Sequence, residues 1–238
     1  MELPFLLKTS DTSDGNLSLR WGKDEMEVLA SRRSFLGKYR LQLEDCIVME
    51  VEHEDRVLVV DTSHKPRGLT EVLPAEAFIT HEKGVVLFLL TADCLPITLY
   101  DPVKQVLALA HLGWKPTDKK LLPKVIRRMQ EVYGTEPTNL KVFIGPGIHK
   151  ESYRHTLPLT NNVELTALKP FVALLPSNEV AIDLVGCNKA QLLGVGVKRE
   201  HIQIDPTDTA ISTKYFSHYR SVRTKEKEGR FATVTCLL

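Results

Sequence analysis

Two apolar runs constrain this chain more than any other feature. Val85 to Leu90 holds no polar residue, and Gln105 to Ala110 is apolar after its first position. A strand with one wet face alternates apolar and polar side chains, and these runs do not alternate. They therefore predict strands covered on both faces. Asp101-Pro102-Val103-Lys104 is turn chemistry, so residues 95–111 read as an antiparallel hairpin. Cys94 stands just before the first strand of that pair and His111 at the end of the second, which sets them side by side. A thiol and an imidazole so placed can bind zinc, or act as nucleophile and base. A buried core cysteine beside an incidental histidine has the same spacing.

The rest of the chain fits around this hairpin as one domain, residues 1–238, with no repeat and no linker. The fold class is α+β with mixed β-sheets. Six to nine strands interleave with four or five helices, and the hairpin argues against a purely parallel sheet. Asp24 caps a helix running to about Tyr39, with Met26, Leu29, Phe35 and Leu36 on its apolar side. A strand from Cys46 to Val51 pairs with Val57 to Asp61. Further helices are expected from Thr117 to Tyr133, with a solvated basic face, over Asn161 to Phe171, and around Asn188 to Leu193. Strands are expected at Leu140 to Ile144, Val180 to Leu184, His201 to Ile204 and Arg230 to Leu238. Asp93 is costly to bury unless hydrogen bonded. It either accepts from backbone N–H groups after the turn or holds a ligand histidine in its tautomer. His53, between Glu52 and Glu54-Asp55, reads from the residues alone as a turn residue or a ligand. His149 and His155 read as surface.

Lys and Arg total 31 against 30 Asp and Glu, a net charge of +1. Nothing there calls for nucleic acid or an anionic membrane. The four cysteines are scattered without a CxxC pair, which favours free thiols in a reducing, cytoplasmic setting. The apolar patch near the N-terminus is too short for a signal peptide, and no run approaches the ~20 apolar residues of a membrane span.

Several separated motifs, in order, carry a family resemblance: Gly15-Asn16-Leu17-Ser18, Thr91-Ala92-Asp93-Cys94-Leu95-Pro96-Ile97, His111 with Gly113-Trp114, Ile144-Gly145-Pro146, Asp183-Leu184 with Asn188 and Gln191, Phe216-Ser217-His218 with Arg220, and Gly229-Arg230. Together they resemble the laccase-domain, or multicopper polyphenol oxidase-like, purine nucleoside phosphorylase family. The resemblance implies a layered arrangement of sheets flanked by helices, with a zinc site on one rim. It implies His53, Cys94 and His111 as zinc ligands, and Cys94, His111 and Asp93 as the catalytic group. It also implies phosphorolysis of purine nucleosides such as adenosine, inosine, guanosine and methylthioadenosine, with adenosine deamination in some members.

Because the chain is nearly neutral, phosphate would need charge gathered locally, and Arg32, Lys115 and Arg220 are the candidates. Lys115-Pro116 stands where the family has Arg-Gly, replacing a bidentate fork by a point charge and removing an N–H. Ser31, Val51, Glu54, Gly147 and Tyr219 are further departures. The resemblance leaves the protein a monomer or small homo-oligomer. Three readings compete: a zinc-dependent purine nucleoside enzyme, a cysteine hydrolase using Cys94 and His111, and a metal-binding protein without catalysis. Zinc stoichiometry separates the first from the second, and phosphate-dependent cleavage separates the first from the third.

Overall fold

The computed structural model describes residues 4–22, 24–156 and 165–238. In chain order its elements are β1 (Phe5–Thr9), α1 (Glu25–Gly37), β2 (Cys46–Glu50), β3 (Val57–Val59), β4 (Leu73–Pro74), β5 (Ala77–Thr80), β6 (Val86–Thr91), β7 (Leu95–Asp101), β8 (Val106–Leu112), α2 (Trp114–Asp118), α3 (Leu121–Tyr133), β9 (Lys141–Ile144), β10 (Arg154–Thr156), β11 (Val172–Leu175), β12 (Glu179–Ile182), α4 (Leu184–Gly194), β13 (Ile202–Ile204), α5 (His218–Thr224) and β14 (Phe231–Leu237). The fold is α+β, as the sequence predicts. The fourteen strands of the described residues outnumber the expected six to nine, in part because four of them are only two or three residues long, too short to leave a periodic pattern.

Two large mixed sheets form the centre. One runs β1-β14-β6-β2-β4 and the other β13-β9-β7-β8-β5-β3, while β10-β12-β11 makes a small third sheet. The two large sheets share an apolar layer in which Ile47, Met49, Leu87 and Leu89 of the first meet Phe78 and Leu109 of the second. On the outer face of the first sheet, Val86 and Phe88 pack beneath Leu29, Phe35 and Leu36 of α1. On the outer face of the second, Ile97, Ala108 and Ala110 pack beneath Val125 and Met129 of α3 and Leu192 of α4. Alternate residues of β6 and β8 thus enter different layers, and both are apolar. This is why these strands show no polar alternation. Among the described residues no helix is long and apolar enough to cross a membrane.

The hairpin forms as expected, antiparallel from Leu95 opposite Leu112 to Asp101 opposite Val106. Every residue of both strands is buried. The Asp101 carboxylate closes the turn by accepting from the N–H groups of Val103 and Lys104. Asp24 caps α1 through the N–H of Met26.

Several expectations are corrected. The strands at 46 and 57 do not pair: β2 lies between β4 and β6 in the first sheet, while β3 runs parallel to β5 in the second. The helix expected from Thr117 is two helices, because the chain breaks at Lys120, whose φ is +57°. Lys119 and Lys124 are not simply solvated, since they pair with Glu54 and Asp55. Residues 165–171 form bends and a short 3-10 turn rather than a helix, and Asn161 lies outside the described residues. Met26 is 70% exposed, and Val28 takes its place on the apolar side of α1. The helix α5 was not expected.

Candidate metal centre

Three segments bring the donor groups together on one rim. His53 lies in the loop after β2 with φ +61°. Cys94 ends the turn between β6 and β7. His111 is the penultimate residue of β8, and the backbone pairing sets it opposite Pro96, two residues beyond Cys94. The His53, Cys94 and His111 donor atoms all lie within 4.8 Å of one another. The two imidazoles are nearly perpendicular, at 88°, with centroids 5.3 Å apart. Among the described residues this is the one group of three or more potential metal donors.

Gly113 makes room for it. A Cβ there would stand 2.9 Å from Cys94 Sγ, 3.7 Å from His111 Cε1 and 3.8 Å from His53 Cδ2. Two imidazoles and a thiolate fit an ion that takes nitrogen and sulfur ligands tetrahedrally, and three protein donors leave one position open.

The electrostatics of the site favour ionised sulfur. Burial pushes the Cys94 thiol up, but His111 and His53 beside it prevail and bring it down to about 6. Burial lowers His111, but Cys94 and Glu76 prevail and raise it.

Glu76 is the residue that sequence reasoning missed. It stands just before β5, fully buried, and its Oε2 lies 2.7 Å from His111 Nδ1. Its Oε1 accepts from the N–H groups of Glu52 (2.7 Å) and Glu54 (3.2 Å). Burial pushes this carboxylate up, but His111 and the two N–H groups hold it below the usual range. The available signal was a lone carboxylate within the otherwise apolar stretch from Leu73 to Phe78, which is expensive to bury without partners.

Asp93 is buried with φ +87°, a backbone conformation that costs a non-glycine residue energy. Its carboxylate accepts from Thr209 Oγ1 at 2.7 Å and from the N–H of Tyr219 in α5 at 2.6 Å. Neither role expected for it is observed: its donors are Thr209 and the N–H of Tyr219, far along the chain, rather than N–H groups just after the turn. Holding a ligand histidine falls to Glu76.

Burial pushes the Tyr153 hydroxyl up first, and the charges of Cys94 and Asp93 add to this, so it stays neutral. His155 is not plain surface: its ring stands edge-on to Tyr153 with centroids 4.7 Å apart. Gly147 allows a close approach to protein rather than to ligand, since a Cβ there would meet Leu95 Cδ2 at 2.4 Å and the Asp93 carbonyl at 2.9 Å.

The three candidate phosphate contacts lie on three different helices, α1, α2 and α5. Arg32 is 1% exposed. Its Nε donates to the Leu17 carbonyl at 2.8 Å, and its guanidinium lies over Phe88. The Arg220 guanidinium donates to the carbonyls of Thr209, Ser212 and Tyr215, and its Nε to Glu226. Lys115 is exposed two residues past Gly113, with its ammonium 5.6 Å from the Trp114 ring. Pro116 is buried in the first turn of α2, where its missing N–H is one that a helix leaves unpaired anyway.

The fold and the site define a class: a layered α+β protein with a three-donor group on its rim that could hold one metal ion. More specifically, the chain belongs to the family described as multi-copper polyphenol oxidoreductase laccase, whose model matches residues 7–238. It is 28% identical over 224 residues to purine nucleoside phosphorylase YlmD of Bacillus subtilis, covering 90% of this chain and 79% of that one. It is 27% identical over 188 residues to adenosine deaminase RL5 of an unknown prokaryotic organism, covering 76% and 71%. Its fold matches the crystal structure of YlmD from Geobacillus stearothermophilus with a TM-score of 0.83 at 24% identity, covering 97% and 90% of the two chains.

Proposed function

We propose that the protein is a zinc-dependent purine nucleoside phosphorylase. It would cleave adenosine, inosine, guanosine and methylthioadenosine with phosphate, giving the free base and ribose 1-phosphate. The observation that carries this reading is the His53–Cys94–His111 group, in a chain similar to enzymes named for that activity. His53, Cys94 and His111 would hold the zinc, which would supply Lewis acidity there. Cys94 enters as the thiolate that its two imidazole neighbours already favour. Asp93 contributes by fixing the turn that presents Cys94. Tyr153 offers a neutral hydroxyl donor. Lys115 is the cation best exposed for phosphate. Arg32 and Arg220 would have to leave their present partners to join it.

Deamination of adenosine is a second activity of the same site, supported by the similarity to RL5. A cysteine hydrolase is favoured by one observation, the Cys94–His111–Glu76 alignment, which resembles a nucleophile, base and orienting carboxylate.

The test is to load purified protein with zinc and supply inosine or adenosine with and without phosphate. The expected result is about one zinc per chain and base release that requires phosphate. The zinc should be lost in the Cys94→Ser, His111→Ala double variant. Activity that survives zinc removal would support the hydrolase instead. Full zinc in the double variant would sink the ligand assignment.

A further inference from the structure

We infer that Glu76 is a positioning residue that sets both histidine ligands of the centre at once. The inference rests on the metal reading above, and its two halves are tested separately from it.

Each oxygen of this carboxylate serves one histidine. Oε2, 2.7 Å from His111 Nδ1, keeps a proton on that nitrogen and leaves Nε2 as the donor atom. Oε1 takes the N–H groups of Glu52 and Glu54, the residues on either side of His53. His53 sits at φ +61°, a conformation an ordinary residue keeps only when its surroundings impose it. Two N–H groups pinned to one oxygen impose it.

The backbone of Glu76 completes the arrangement. Its carbonyl accepts from the His111 N–H at 2.8 Å, and its own N–H donates to the Arg56 carbonyl at 2.9 Å. The ion pairs of Glu54 with Lys119 and Asp55 with Lys124 lie outside this. They are exposed and screened, so they add little. Glu76 is fully buried and carries the coupling.

Two substitutions separate the halves. In Glu76→Gln, the amide oxygen can still accept from Glu52 and Glu54, while the amide NH2 faces His111 Nδ1. An NH2 needs an acceptor there, so the ring proton moves to Nε2 and the donor atom is lost. In Glu76→Ala both functions go. Zinc affinity would be measured by competition with a chromophoric chelator. Amide hydrogen exchange at Glu52 and Glu54 would be measured in the metal-free proteins.

Glu76→Gln should weaken zinc by about 10- to 100-fold with exchange at both amides within about threefold of the parent. Glu76→Ala should weaken zinc at least as much and speed both amides by about tenfold or more. Glu76→Asp should recover part of the affinity, which a purely structural role would not require. Zinc bound by Glu76→Gln within twofold of the parent overturns the tautomer half. Unchanged exchange in Glu76→Ala overturns the loop half. A parent protein that takes no zinc, yet shows faster exchange in Glu76→Ala, overturns the zinc reading and leaves the loop role standing.

Discussion

Replacing Gly113 by Ala should damage the proposed metal centre without substituting any of its ligands. The new Cβ would lie 2.9 Å from Cys94 Sγ. Backbone strain plays no part, since φ is −81°. Comfortable contact begins near 3.5 Å, so the sulfur must retreat by roughly 0.6 Å. Metal–ligand distances are held to about ±0.2 Å, and the retreat exceeds that severalfold. Zinc affinity should fall by about 10- to 100-fold, or roughly 1.4–2.8 kcal/mol. The metal-free protein should lose about 1–3 kcal/mol from overpacking. That lowers the melting temperature by about 2–12 °C for a chain of this size.

Ala is also a poorer cap than Gly at the start of α2, a cost that is independent of Cys94. A double-mutant cycle with Cys94→Ala removes it. With the sulfur gone, Gly113→Ala should cost only the cap term, leaving a coupling of about 1 kcal/mol or more. Chelator competition and thermal melts of the four proteins decide the matter. Equal destabilisation in both backgrounds, or zinc binding within twofold of the parent, would refute the crowding argument.

Metal-free protein should react with iodoacetamide at Cys94 alone, since the other three cysteines are buried. Despite burial, its two imidazole neighbours lower its thiol to about 6, so reactivity should rise as pH climbs through that value and then level off. A midpoint near the usual ~8.5 would refute the thiolate pairing. Lys115→Arg should raise phosphate-dependent kcat/KM by roughly tenfold, the gain of one charge-assisted bond, with zinc content unchanged. No change would remove Lys115 from the phosphate path. Arg220→Ala should lower stability by about 2–3 kcal/mol, because three carbonyls lose their donor; melts with and without phosphate test this. A higher phosphate KM with unchanged stability would show Arg220 to be a phosphate contact instead.

The sequence was informative where contacts are local. The hairpin, its turn and the juxtaposition of Cys94 with His111 follow from residues fewer than twenty apart. The capped start of α1 follows from Asp24 alone. Partner choice among strands was not legible: Cys46–Glu50 and Val57–Val59 look like neighbours in the chain, yet each pairs in parallel within a different sheet. Parallel pairing carries no turn signal. The helix break at Lys120 was hidden because the apolar and basic pattern continues across it. Glu76 was passed over because its value depends on groups at Glu52, Glu54 and His111, and none of these is visible from its own surroundings. Arg32 and Arg220 were read as available charge, whereas packing had already engaged their guanidinium groups.

The donors that hold Asp93 lie 116 and 126 residues further along the chain. During synthesis, His53, Glu76, Cys94 and His111 all leave the ribosome long before Thr209 and Tyr219. A nascent chain therefore holds all three candidate donors while the strained turn presenting the Cys94 sulfur still lacks these partners. On the proposed zinc reading, affinity for the ion should rise only once α5 is in place. If the proposed zinc reading holds, fragments ending before residue 217 should bind the ion more weakly than a chain that includes α5.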